Sequence, residues 1–196
     1  MNREEIERAF VLIAELADRR GVFVDLAVYG GSAIALRWEF RRSTRDVDVI
    51  ISGDKSFMQS AVDVVAEEMG LPKDWMNDAV KGFSSSQANH ELYKEYLGEH
   101  GGLRVFVPTA EYLLAMKCMA MRVDAPDGHG DVDDIKALVS ATGLKSKKEV
   151  CDIVEKYYPR DKIPPKVYFG IEQIMTEVTL ENRRKRIRKS PPQITR

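Results

Sequence analysis

From Asn2 to about Arg19, apolar residues return every three or four positions, at Ile6, Phe10, Ile13, Leu16 and Ala17. That spacing predicts an amphipathic helix, and Gly21 ends it. Val22 to Tyr29 reads as a buried strand. After Gly30-Gly31-Ser32, a helical run covers Ala33 to Phe40, and a second strand, rich in Val and Ile, covers Asp46 to Ile51. Further helices follow over Phe57–Met69, with Val62, Val65 and Ala66 inward, and over Ala110–Arg122, capped by Thr109 with Leu113, Leu114, Met116 and Ala120 inward. Leu103 to Val107 is a third strand, stopped by Pro108. Gly70 to Gly101 is least regular: Leu71 to Ala79 suggests a short helix with Trp75 as packing, and no strand can be placed there. A helix begins near Asp131 and runs through Ile135 to Ala141, and another, with Ser146 as its cap, covers Lys147 to Tyr158. A long helix from Val167 to about Arg188 has Phe169, Ile171, Ile174, Met175 and Val178 spaced for one face. Together the elements predict an α/β (α+β) protein, with strands and helices over residues 1–140 and a helical region with a basic tail over 141–196.

The pattern breaks at Asp46-Val47-Asp48, where two acids interrupt an apolar strand. Strand side chains alternate between faces, so Asp46 and Asp48 project together while Val47, Val49 and Ile51 pack on the other side. Two carboxylates on one face repel unless a cation lies between them. A hard, oxygen-preferring ion such as Mg2+ (or Mn2+) suits the pair. The Gly-Gly-Ser turn stands before a helix N-terminus, whose first amides lack internal partners and where the dipole is positive, and this suits a triphosphate. Ser32 could add a hydroxyl contact to that ligand or cap the helix, and the two roles can coexist. Arg41, Arg42 and Arg45 flank the acids; Arg42 could hold a phosphate, orient Asp46 or serve as a structural charge partner.

Gly30-Gly31-Ser32, then a gap, then Asp46-Val47-Asp48 resembles the signature of the DNA polymerase beta-type nucleotidyltransferase superfamily. The fuller string Arg42-x-Thr44-x-Asp46-Val47-Asp48 is similar to the branch containing AbiEii- and MenT-like toxins of bacterial toxin–antitoxin systems. The resemblance implies a small mixed sheet flanked by helices as the core, and transfer of a nucleotidyl group from an NTP to an acceptor. It puts Asp46 and Asp48 on the metal and Gly30, Gly31, Ser32, Arg42 and Thr44 on the nucleotide. Many superfamily members place a third carboxylate on a later strand, but Leu103 to Val107 holds none. Glu91, Glu95 and Glu99 are alternatives. The family-like string Asp131-x-x-Asp134-Ile135 favours Asp131 as metal ligand or proton acceptor, with Asp134 second. Lys117, in a stretch similar to the branch's Leu-x-x-x-Lys-x-x-Ala-x-Arg, would neutralise the phosphates. An RNA acceptor, the tRNA 3′ end among others, and a cognate antitoxin protein belong to the same implication. Transfer to a small molecule or a protein hydroxyl, or a non-catalytic nucleotide- or RNA-binding module, are the alternatives.

Composition narrows this only in part. The chain has 196 residues, 44% hydrophobic and 31% charged, enough for a sizeable core. No run approaches the ~20 apolar residues that span a bilayer, and Met-Asn-Arg-Glu-Glu is no signal peptide, so a cytoplasmic protein without a membrane partner is expected. Cys118 and Cys151 lack metal-ligand spacing, and His90, His100 and His129 are scattered, which argues against zinc. The Asp124–Asp134 run lacks the Gly and Glu positions of an EF-hand. Met116, Met119 and Met121 suit core filling. Net charge is −1, but residues 181–196 hold seven Lys or Arg and one Glu, a local +6 that leaves −7 on residues 1–180. That segregation fits either a solvated helix end or an arm that tracks RNA phosphates.

Overall fold

The computed structural model describes residues 1–38, 40–121 and 129–189, which divide into two compact units, Met1–Leu113 and Leu114–Arg196. In the first unit, α1 (Arg3–Arg20) starts from a capping box, with Asn2 and Glu5 serving each other's backbone amides, and stops at Gly21 in the left-handed conformation. It is followed by β1 (Phe23–Val28), α2 (Gly30–Arg37), β2 (Val47–Ser52), α3 (Lys55–Met69), β3 (Met76–Asn77), β4 (His90–Leu97) and β5 (Gly102–Pro108). The five strands form one mixed sheet in the order β3-β2-β1-β5-β4. β1 lies antiparallel to β2 and parallel to β5, β3 is parallel to β2, and β4 is antiparallel to β5.

Register assigns the two faces. Residues directly opposite in paired strands share a face. One face carries Val24, Leu26, Val28, Val47, Val49, Leu103, Val105 and Val107, all buried. α1 packs on α3 and on this sheet, and Phe10 meets Tyr96 edge-on. The opposite face carries Asp48, Ile50, Ala27, Asp25, Arg104 and Phe106, none of them buried, with Arg104 making a two-point bond of 2.7 and 2.8 Å to Asp25 across the parallel pair. One face of the sheet thus packs on the core and the other meets solvent.

Several expected elements shift. α2 begins at Gly30, not Ala33, so the glycines form its first turn, and it ends at Arg37 rather than Phe40. β2 begins at Val47, and Asp46 lies in a bend just before it, because the Asp46 carbonyl accepts the Thr44 hydroxyl at 3.1 Å instead of joining the ladder. The helix expected over Leu71–Ala79 is absent: Trp75 is buried, its indole N–H donating to the Val62 carbonyl, and the chain then makes β3 and a 3-10 turn over Ala79–Phe83. β4, where no strand could be placed, is an edge strand in which no residue is fully buried.

α4 (Ala110–Ala120) crosses from the first unit into the second. The second unit holds α5 (His129–Thr142), α6 (Lys147–Tyr157) and α7 (Pro165–Lys189), with α5 and α6 each packed on α7. Ser146 caps α6 in a full capping box, as its sequence suggests. Met116 and Met121 are buried, as expected of filler, whereas Met119 and Ala120, also expected inward, are only half-buried. Val167, Ile171, Ile174 and Met175 form the buried stripe of α7, whereas Phe169 is 72% exposed: two residues from Val167 is half a turn away, so it faces outward. The acidic run from Asp124 to Gly128 and the tail from Ser190 lie outside the described residues. No described helix is long and apolar enough to cross a membrane.

Candidate active site

The corner between β1 and α2 is built around Gly30, whose φ of 60° favours a residue without a side chain. A Cβ there would collide with Asp48 Oδ2, so the glycine is also the space that the acid occupies. One residue on, a Cβ at Gly31 would lie 2.7–2.8 Å from the Arg41 guanidinium. The turn thus has a carboxylate over its first glycine and a guanidinium over its second. Tyr29 is the cap of α2 without a side-chain cap bond, and the first intrahelical bond runs from Ala33 N–H to the Tyr29 carbonyl at 3.0 Å. The amides of Gly30, Gly31 and Ser32 precede that bond and have no partner within the helix. Ser32 is buried and donates its hydroxyl to the Tyr29 carbonyl at 2.7 Å, so its side chain braces the turn and neither caps nor reaches outward.

The two acids are held differently. Asp48 stands in β2, and its carbonyl accepts the Tyr29 amide at 2.8 Å, which ties it to the glycine corner. Asp46 is oriented from the other side: Asn77, paired with Asp48 in the β2–β3 register, donates its amide to Asp46 Oδ2 at 3.2 Å. Since Asn77 shares the face of Asp48, this bond draws both carboxylates to the same side of the sheet. Thr44 is buried and fixes the preceding loop through its hydroxyl bond to Asp46 and its amide bond to the Met1 carbonyl at 2.8 Å. Arg42 and Arg45 are exposed, and the group that orients Asp46 is Asn77 rather than Arg42.

Continuing the same row across the sheet, His90 of β4 pairs with Pro108 of β5. The imidazole Nε2 is 2.7 Å from the Tyr29 hydroxyl, and the ring lies edge-on between Tyr29 and Tyr112. Burial pushes His90 below the usual histidine range and Tyr29 above the usual tyrosine range.

In the second unit, Lys117 of α4 reaches Asp131 Oδ1 at 3.1 Å and Asp134 Oδ2 at 2.9 Å, both on α5. All three side chains are at most 15% exposed. The residues that a resemblance links in function are therefore linked here by charge. Glu91 forms an ion pair with Arg37 of α2.

Donor chemistry at the β2 corner fits a hard divalent ion. Asp46 and Asp48 are both partly exposed and offer carboxylate oxygen, the ligand Mg2+ takes, and Mg2+ characteristically uses one or two carboxylates and fills its remaining positions with water and phosphate oxygen. Among the described residues no group of three or more His, Cys, Asp or Glu side chains is arranged to hold a metal.

Asn77 is the site neighbour that sequence reasoning passes over, and Arg41 enters it only as flanking the acids, the specific roles being given to Arg42. Asn77-Asp78 before Ala79 carries the signal of an Asx turn, which marks a local bend but not a partner 31 residues upstream. Arg41 and Arg42 are adjacent arginines, and only the fold separates the one over the turn from the one in solvent. No curated protein and no solved structure matches the chain. Over residues 5–158 the chain belongs to the family described as nucleotidyltransferase of unknown function (DUF6036).

Proposed function

We propose that the protein moves a nucleotidyl group from an NTP to an acceptor hydroxyl, with Asp46 and Asp48 as the ligands of a divalent ion, Mg2+ or Mn2+. The acceptor oxygen forms a bond to the α-phosphorus, the bond from that phosphorus to the bridging oxygen breaks, and pyrophosphate leaves; the acceptor's proton passes to solvent or a base. The observation that carries the reading is the closure of Gly30 over Asp48 Oδ2, which sets a carboxylate against a helix turn whose amides face no helical partner. The amides of Gly31 and Ser32 hold the β- and γ-phosphates, and the Arg41 guanidinium over Gly31 adds positive charge beside them. When bound, the ion neutralises charge on the phosphate oxygens and aligns the attack. Asp46 and Asp48 supply the ligands, and the Asn77 amide holds Asp46 by its Oδ2. Lys117 as a phosphate contact and Asp131 as ligand or proton acceptor are carried from the resemblance and belong to this proposal.

Incubation with labelled NTPs and Mg2+ tests it. Asp46→Asn and Asp48→Asn should each abolish label transfer; transfer at the parent rate in either would end the mechanism. The acceptor we propose is RNA, supported by the basic C-terminal end and the toxin-like string from Arg42 to Asp48, with tRNA 3′ ends and an opposing antitoxin as the specific form. Label migrating with protein or small solutes would move the assignment to those acceptors. Absence of Mg2+-dependent NTP binding in calorimetry would leave a non-catalytic module.

A further inference from the structure

The geometry points to Asn77 as a positioning residue for the ion-binding carboxylates, an inference that rests on the reading of Asp46 and Asp48 given above. β3 is two residues long and pairs with β2 only at Val47 and Asp48, beside the acids. Its placement is anchored on both sides. Trp75, 1% exposed, bonds its indole N–H to the Val62 carbonyl at 3.2 Å, while its own carbonyl accepts the Val47 amide at 2.7 Å. Val80 is buried just beyond. Between these anchors, Asn77 spends both ends of its amide. Oδ1 accepts the Ala79 amide at 3.0 Å, and Nδ2 donates to Asp46 Oδ2 at 3.2 Å.

Those partners also fix which way the amide points. A backbone N–H can only donate and an ionised carboxylate can only accept, so a flipped Asn77 would lose both bonds. The consequence for Asp46 is orientation without neutralisation. A Lys or Arg in this place would hold the carboxylate equally well but compete with the cation for its charge; a second acid would repel it. An amide donor takes one carboxylate oxygen, sets the plane of the group and leaves its negative charge for the ion. Outer partners of this kind, which aim a ligand rather than touch the metal, typically shift metal affinity 10–100-fold when removed.

The substitution Asn77→Ser separates the two bonds. Its hydroxyl can still accept the Ala79 amide, as serine does in turns, but it is too short to serve Asp46. Mn2+ binding to the parent, Asn77→Ser, Asn77→Ala and Asp46→Asn proteins, followed by electron paramagnetic resonance, reads the effect without turnover. We expect Asn77→Ser to bind Mn2+ roughly tenfold or more weakly, with a thermal midpoint close to the parent. In turnover, the Mg2+ concentration for half-maximal labelling should rise by a like factor, while the rate at saturating Mg2+ largely recovers. Asn77→Ala should match Asn77→Ser in Mn2+ affinity even if it folds less stably. Parent-like Mn2+ affinity in both Asn77 variants, alongside loss in Asp46→Asn, would overturn the role of Asn77 and leave the site standing. Equal Mn2+ binding by the parent and Asp46→Asn would overturn both.

Discussion

Gly30 answers to two demands at one position. Its left-handed backbone disfavours any side chain, and its missing Cβ is the room that the Asp48 carboxylate fills. Gly30→Ala should therefore cost about 1–3 kcal/mol through the backbone alone. By displacing Asp48 it should also slow labelling on the order of a hundredfold. Gly31→Ala should be milder in both respects, because its φ is not in that region and its neighbour is the movable tip of Arg41. Urea midpoints and labelling rates compare the two, and equal losses would refute the asymmetry. His90 gives a pH signature at the same scale. Burial lowers its value from the ordinary 6.5, so on acidification the unfolded chain takes up a proton before the folded one does. Stability from this group is whole above about 6.5 and falls as pH drops through the interval down to the folded value. The urea midpoint of the parent should thus drop more than that of His90→Gln between pH 7.5 and pH 5. A constant gap would mean that the imidazole's burial has no energetic weight.

At the scale of elements, α4 and α5 are joined by an ion cluster in which one lysine serves two aspartates. Removing the cation takes the lysine partner from two carboxylates in poorly solvated places, and breaking such a pair costs about 3–5 kcal/mol. Lys117→Met should lower the stability of the protein by about that much. Replacing Asp131 and Asp134 by Asn in the same chain should recover much of it, since a neutral set no longer needs the cation. If the triple variant regains stability but labels no better than Lys117→Met, the cluster of Lys117, Asp131 and Asp134 has a chemical task beyond the fold. The same scale explains what the sequence makes legible. Long amphipathic periods mark α1, α3 and α7, a serine cap marks α6, and the glycine pair before a helix and the acids near an apolar strand stand out because each breaks a local rule. β4 stays hidden because an edge strand from His90 to Leu97, with no fully buried residue, has no clean alternation to read. β3 and Asn77 stay hidden for another reason: two residues carry no period, and the bond from Asn77 to Asp46 exists only once the sheet has formed.

Over the whole chain the charge is divided rather than balanced, with −7 on residues 1–180 and +6 on residues 181–196. A body of that sign repels a nucleic acid, so any RNA acceptor would have to be drawn by the basic end. α7 runs to Lys189 and bears Arg183 and Arg184 exposed near that end. Basic residues at a helix C-terminus are also favoured by the dipole, so their presence alone does not distinguish an arm from a stable ending. Salt dependence does. Each phosphate neutralised on a single strand contributes about −0.7 to the slope of log affinity against log salt. Replacing Arg183, Arg184, Lys185, Arg186, Arg188 and Lys189 by Gln should flatten the slope by as much as about 4 units if all six contact phosphate, and by about 0.7 for each that does. The substitutions leave the ion pairs of Lys136 with Glu177 and Glu181 in place, so the helix keeps its described anchors. RNA binding measured from low to moderate salt would show the change, and an unaltered slope would assign these cations to the helix end and remove the main support for an RNA acceptor.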